Sequence, residues 1–252
     1  MVEIKTAAEL ALMRRASGIV AEVLALLKME VRPGISTAEL NSLAERGIRA
    51  REALPAFLGY RGYPAALCVS INEEVVHGIP DAKRIVRDGD LVSLDLGAVY
   101  RGFYGDAAIT VAVGTVGPER SRLMEVTEAS LSAALSEVRS GARLGDVCHA
   151  VEKLVTKNGM SVVREFTGHG IGRHLHEEPS IPNYGKPGTG VTLRPGMTLA
   201  IEPMVCLGNP GVVVKSDGWT AVSADGSCTA HFEHTVAVTE AGCEILSVIS
   251  HG

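Results

Sequence analysis

Apolar side chains recur at helical spacing through residues 6 to 29, at Leu10, Met13, Val20, Leu24 and Leu27, which predicts an amphipathic helix. Thr6 stands at its N-cap, and Glu9 three residues on completes a capping box. Arg32-Pro33-Gly34 breaks the pattern. Ser36 and Glu39 repeat the same cap at the head of STAELNSLAERGIRARE, a second predicted helix. A hairpin-like region is expected from Tyr60 to Ile71. Beyond it the apolar pattern alternates. LVSLDLGAV alternates around Asp95, YGDAAITVAV alternates around Asp106, and Arg101-Gly102 reads as the turn between them, which predicts a β-hairpin. With period two, Asp95 shares a face with Ser93 and Gly97, while Val92, Leu94 and Leu96 point the other way. Asp106 shares a face with Ala108 and Thr110. The two carboxylates then stand opposite or diagonal, roughly 5–8 Å apart. Like charges that close are unfavourable unless a proton or a cation lies between them, and a divalent metal resolves the conflict.

The pattern then repeats. Pro118 to Val138 reads as a helix, VRSGARLGDV (138–147) resembles VRPGISTAEL (31–40), and GMTLAIE (196–202) resembles GDLVSLD (89–95). Both matches fall at one offset of 107 positions, 139 against 32 and 202 against 95. Two related halves within one domain are expected, with Asp95 and Glu202 in equivalent places and a site at their junction. Further candidates lie in the second half. Glu202 sits in the strand-like run TLAIEPMVC, and Glu233 sits in CTAHFEHTVAV, where His231, Glu233 and Thr235 are expected on one face. Carboxylates are rarely buried without a partner. His169 lies in TGHGIGRHLHEEP between glycines, which permit close backbone approach. Four carboxylates and an imidazole form a donor set suited to two divalent ions.

Composition narrows the classes. The 252 residues are 46% hydrophobic and 21% charged with a net charge of −5, ordinary for a soluble globular chain. No dense Lys/Arg run points to nucleic acid. The five cysteines, Cys68, Cys148, Cys206, Cys228 and Cys243, show no CxxC spacing, so neither a zinc knuckle nor a disulfide framework is indicated. A reducing, cytoplasmic setting is expected. The N-terminus lacks an apolar signal-peptide core, and no run is long enough to span a membrane.

Taken together, YRGYPAALCVSINEEVVHGIP (60–80), DLGAVYRGFYGD (95–106), TGHGIGRHLHEEP (167–179) and IEPM (201–204) resemble the signature blocks of the type I methionine aminopeptidases of the pita-bread metallopeptidase family. The resemblance runs from the first helix to about Ile245. It implies an α+β pita-bread fold, a curved antiparallel sheet with outer helices and two pseudo-symmetric halves, as a single catalytic domain over 1–252. It implies two divalent ions per chain, Co, Mn, Fe or Zn, held by Asp95, Asp106, His169, Glu202 and Glu233. Asp95 would chelate one ion, Asp106 and Glu233 would bridge, and His169 and Glu202 would complete the other shell. Glu202 would also serve as general base. By the same resemblance His77 contacts the scissile amide nitrogen and His176 the carbonyl oxygen, while His174 and His231 have weaker claims. Tyr60, Tyr63, Cys68 and Trp219, with Phe57 and Leu175 nearby, would form the methionine pocket, where a thioether suits aromatic and sulfur neighbours. Phe57 and Leu175 depart from the bacterial pattern, which more often has Cys and an aromatic residue there.

The implied substrate is the N-terminal methionine of nascent chains at the ribosome exit, with small second residues preferred. The chain's own Met1-Val2 start fits that rule. No nucleic acid and no membrane are expected as partners, and a monomer is expected. An Xaa-Pro aminopeptidase or dipeptidase shares the five ligands but usually carries a sizeable extra N-terminal domain, and about ninety residues precede Asp95 here. A type II enzyme would carry a helical insertion, where only PSIPNYGKPGTGVTLRPGMTLAI separates Glu178 from Glu202. A non-catalytic binding module would have lost ligands, and all five stand here.

Overall fold

The computed structural model describes residues 2–249, so Met1 and the last three residues of the 1–252 span lie outside the described residues. The chain runs through α1 (Ala7–Glu30), α2 (Thr37–Arg49), β1 (Leu54–Pro55), a 3-10 turn (Tyr60–Gly62), β2 (Leu67–Ile71), β3 (Glu74–Val76), β4 (Leu91–Tyr100) and β5 (Phe103–Ala112). It continues through α3 (Pro118–Glu137), α4 (Leu144–Lys157), β6 (Ser161–Val162), β7 (Thr167–Gly170), β8 (Glu177–Pro182), β9 (Thr198–Ile201) and β10 (Met204–Cys206). The last elements are β11 (Val212–Val214), β12 (Ala221–Ser223), β13 (Thr229–His231), β14 (Glu233–Val238) and β15 (Cys243–Ile245).

Both predicted capping boxes form. Thr6 and Glu9 cap α1, and Ser36 and Glu39 cap α2, each satisfying backbone N–H groups that the helix itself cannot. The second helix ends at Arg49, three residues short of the expected Glu52, which adopts a left-handed φ of 58°. Tyr60 to Ile71 is not a hairpin. Tyr60–Gly62 is a helical turn, and β2 pairs with β4 instead of folding on itself.

The main sheet is antiparallel and runs β1-β4-β5-β14-β9-β7-β8, with β2 also on β4 and β15 also on β14. The hairpin β4–β5 forms with Asp95 opposite Ala108 and Gly97 opposite Asp106. The two aspartates are therefore diagonal neighbours on one face. The opposite face behaves as predicted. Val92, Leu94 and Leu96 pack with Ile19, Val20 and Leu24 of α1. In the second half Leu199, Ile201 and Val236 pack with Leu123 and Leu131 of α3 and Val151 of α4. Each half thus carries its own apolar layer beneath its own helix pair, and the acids lie on the other face. Gly105 lets α1 come this close, since a Cβ there would stand 2.5 Å from the Ser17 nitrogen.

The repeat is visible bond by bond. Gly34 N donates to Val86 O and Gly141 N donates to Leu193 O, each 107 positions on. The isolated bridge Ser36–Ile85 recurs as Arg143–Thr192 at the same offset. Gly89 and Gly196 open the two central strands with φ of 86° and 87°. The two halves differ in one respect. The first hairpin is a continuous ladder, whereas its counterpart is split. Ile201 pairs with His234 in the main sheet and Met204 pairs with His231 in a small sheet, β13-β10-β6, with the register unchanged across the gap. The break falls at Pro203 and Phe232. The single strand expected over 228–238 is therefore two strands, and Glu202 and Glu233 sit at the split.

Candidate metal centre

Every carboxylate of the proposed cluster is placed by a main-chain arrangement independent of its own side chain. Asp106 is held by Thr235, whose hydroxyl accepts from the Asp106 N–H at 3.0 Å and donates to its carbonyl at 2.7 Å. This hydroxyl stands in for a backbone rung between β5 and β14. Glu233 pairs through its backbone with Ala108. His169 is threaded between β8 and β9, and the flanking glycines make the space. A Cβ at Gly168 would lie 2.4 Å from the Ala200 oxygen, and one at Gly170 would lie 2.1 Å from the Glu178 oxygen. Gly170→Ala should accordingly cost about 1–3 kcal/mol or more and displace His169. Thermal melts and Co(II) titration check this; a variant with wild-type stability and binding would refute the threading argument.

One cavity of about 150 Å³ collects the site. Its lining holds Asp95, Asp106, His169, Glu202 and Glu233, the two histidines His77 and His176, and the pocket candidates Phe57, Tyr60, Tyr63, Cys68, Leu175 and Trp219. The five ligand candidates, His77, His176 and the six pocket candidates are all brought to this cavity, with Arg61 as the one addition, while the weaker candidates His174 and His231 do not line it. Arg61 lies over the Tyr60 ring, 5.4 Å from its centre. Phe166 was also not foreseen; its ring meets His77 edge-on at 5.3 Å. A positively charged residue between two tyrosines was the only sequence signal for Arg61, and none pointed to Phe166. His174 is exposed and outside the cavity lining.

Electrostatics single out the floor of the cavity. Asp106, His169 and Glu233 are buried and offer ligand atoms all within 4.8 Å of one another. His169 Nε2 lies 3.6 Å from Glu202 Oε1 and 4.0 Å from Asp106 Oδ2. Its Nδ1 is engaged by the Gly170 carbonyl at 2.9 Å, which leaves Nε2 facing the acids. Burial pushes Asp95 up to about 7. Burial first, then the neighbouring acids, raises Asp106, Glu202 and Glu233 well above the carboxylate range. Burial holds His169 neutral, with its pKa down at about 3. Among the described residues no Lys or Arg pairs with these four acids, and Asp95 Oδ1, Asp106 Oδ1 and Glu233 Oε1 are buried without a hydrogen-bond partner. Carboxylate oxygens only accept, so each calls for a donor, a proton of its own or a cation. Oxygen-rich donors with one neutral imidazole fit a first-row divalent ion.

Above this floor the walls are aromatic. Tyr63 meets Trp219 edge-on at 5.1 Å, and the Tyr60 hydroxyl lies 2.8 Å from His176 Nδ1. Tyr63 also donates to the Gly78 carbonyl at 3.0 Å. That bond steadies His77, a non-glycine residue with φ of 60°. Its neighbour must be glycine, because a Cβ at Gly78 would lie 2.1 Å from the Val69 oxygen. Strain of this kind persists only where the surroundings enforce it.

The model of metallopeptidase family M24 matches residues 11–240. A methionine aminopeptidase 1 of Bacillus subtilis is 49% identical over 247 residues, covering 98% of this chain and 99% of that protein. The crystal structure of a methionine aminopeptidase from Thermotoga maritima superposes with a TM-score of 0.97 at 50% identity, covering 98% of this chain and 100% of that one. An Xaa-Pro dipeptidase from Bacillus anthracis shares the fold alone, with a TM-score of 0.78 at 23% identity over 97% of this chain and 61% of that one.

Proposed function

The chain belongs to metallopeptidase family M24, and from that premise we propose that it is a metal-dependent aminopeptidase that removes the N-terminal methionine from peptides and nascent proteins. The observation that carries this reading is a floor of four unneutralised carboxylates, Asp106 and Glu233 buried and Asp95 and Glu202 partly so, with one neutral imidazole, beneath an aromatic and sulfur-lined pocket. The names of relatives near 50% identity over nearly the whole chain support it.

Asp95, Asp106, His169, Glu202 and Glu233 would hold two divalent ions, of Co, Mn, Fe or Zn. Such ions supply Lewis acidity, which makes water nucleophilic at neutral pH and stabilises charge on a carbonyl oxygen. Glu202 accepts the proton released by the attacking water and returns it to the departing amine nitrogen. The Tyr60 hydroxyl lies 2.8 Å from His176 Nδ1; with Tyr60 as the donor, the His176 proton is on Nε2, where it can meet the scissile carbonyl. His77 is kept neutral by burial, its pKa lowered to about 4, and so can accept from or donate to the amide nitrogen. Tyr60, Tyr63, Cys68, Trp219, Phe57 and Leu175 enclose the methionine side chain, and the crowding of His77, His176 and Trp219 favours a small second residue.

The chain is further read as a single catalytic domain that works as a cytoplasmic monomer on N-termini emerging from the ribosome. No helix among the described residues is long and apolar enough to cross a membrane.

The deciding assay is release of methionine from Met-Gly-Met-Met by EDTA-treated protein with and without Co(II) or Mn(II). Metal-dependent release is expected. Cleavage confined to an Xaa-Pro peptide lacking N-terminal methionine would move the chain to the prolidase branch. No turnover on either peptide by a metal-loaded, folded protein would end the catalytic reading.

A further inference from the structure

The Glu202 carboxylate faces two imidazoles, one from each oxygen. Oε1 lies 3.6 Å from His169 Nε2, and Oε2 lies 3.7 Å from His231 Nε2. His169 has a place in the proposed metal shell. His231 does not: its ring atoms are absent from the tight Asp106–His169–Glu233 group, and it does not line the cavity. Yet His231 is 1% exposed, and neither of its ring nitrogens has a hydrogen-bond partner among the described residues. A histidine kept only for packing would normally satisfy at least one of them, because an unpaired buried donor costs free energy.

Its position is also enforced. The His231 N–H donates to Thr110 Oγ1 at 2.9 Å, and its carbonyl accepts from the same hydroxyl at 2.8 Å. This is the arrangement by which Thr235 holds Asp106. The ladders agree. Gly97 opposite Asp106 in the first half corresponds to Met204 opposite His231 in the second. His231 therefore stands towards Glu202 as Asp106 stands towards Asp95. One half places a second carboxylate at this point, and the other places an imidazole.

We propose that His231 is a positioning residue for Glu202. Its Nε2–H donates to Glu202 Oε2, which leaves Oε1 beside His169 Nε2 for the metal and fixes the plane of the carboxylate that carries the proton. An ionised carboxylate can only accept, so His231 must be the donor. The 3.7 Å separation exceeds an ordinary N–H···O bond by about 0.7 Å, a gap that a small rotation of the carboxylate closes. Ligating carboxylates are ordinarily oriented by such an outer hydrogen bond. The proposal rests on the aminopeptidase reading above.

The test compares wild type, His231→Gln and His231→Leu in the metal-loaded protein. Steady-state cleavage of Met-Gly-Met-Met is measured beside calorimetric titration with Co(II) and thermal melts. His231→Leu is expected to lower kcat and Co(II) affinity by about 10–100-fold, with KM little changed and melting temperature not reduced. His231→Gln keeps an N–H donor and is expected to recover most of both losses. A leucine variant equal to wild type in kcat and Co(II) affinity would overturn the proposal. So would a glutamine variant as impaired as leucine, with melting temperatures falling in step. If the leucine variant does not fold, His231→Met supplies the same comparison. A wild-type protein that binds Co(II) yet releases no methionine would refute the aminopeptidase reading instead, and the affinity comparison would still decide the role of His231.

Discussion

Asp106→Asn is expected to abolish methionine release, by about 10³-fold or more, while leaving the metal-free protein at least as stable as wild type at pH 8. The two halves of this result have one cause. Asp106 is 4% exposed, lies beside His169 and Glu233, and has one oxygen with no partner. Burial, then the charges of Glu233 and Asp95, works against its ionised form. Without a cation the carboxylate is a liability. With a cation between the acids it would become an attraction. Asparagine has nearly the same shape and no charge, so it removes the repulsion and the metal affinity together.

The fold does not need the carboxylate, because Thr235 holds the Asp106 backbone from both sides. Most substitutions of buried groups destabilise, which makes the expected sign diagnostic. Calorimetric melts in EDTA at pH 8, Co(II) titration and the peptide assay check it together. An Asp106→Asn protein that melts well below wild type in EDTA would show that the side chain holds the fold and not an ion.

Much of this was legible because the sequence repeats a physical problem. Two acids on the polar face of an alternating hairpin demand a cation or a proton, and the 107-residue offset doubles the hairpin. The capping boxes at Thr6 and Ser36 are local chemistry and formed as read. The misreadings are non-local. CTAHFEHTVAV keeps His231, Glu233 and Thr235 in one period-two register, which cannot reveal that the backbone changes sheets at Phe232. The only local hint is across the ladder, where Pro203 has no N–H to donate. The hairpin-like reading of Tyr60 to Ile71 fails because the partner of β2 is β4, which begins twenty residues further along. His231 carried a weak claim for the same reason. Its importance depends on which oxygen of Glu202 it meets, and no spacing rule encodes that.

Removing the metal is also expected to steepen the loss of stability in alkali. The melting temperature of EDTA-treated protein should fall as pH rises from about 7.5 to about 8.5, and that of the metal-loaded protein should fall less steeply. The sign follows from which state holds more protons. Above about 7.5 the unfolded imidazoles are neutral, and in the native state burial keeps His169, His231 and His77 neutral, the first two lowered to about 3 and the last to about 4. The carboxylates and the thiols then distinguish the states. Burial raises all five cysteines whether or not metal is bound, so only the carboxylates respond to the metal. In the unfolded chain they are ionised. In the metal-free native state Asp95 keeps its proton up to about 7, and Asp106, Glu202 and Glu233 are raised still more strongly by burial and by one another. The native state binds more protons, so stability present at lower pH is lost as pH climbs through the folded values. Each retained proton costs about 1.4 kcal/mol per pH unit. Below about 7.5 the histidines act in the opposite sense, because the unfolded chain takes up protons that the buried rings refuse. The metal-free optimum therefore lies near the end of the imidazole titration. Bound cations would return the four acids to their ionised form in the native state and remove their part of the alkaline slope. Parallel melting curves with and without EDTA across this window would mean that the acids are not neutralised by a metal at all.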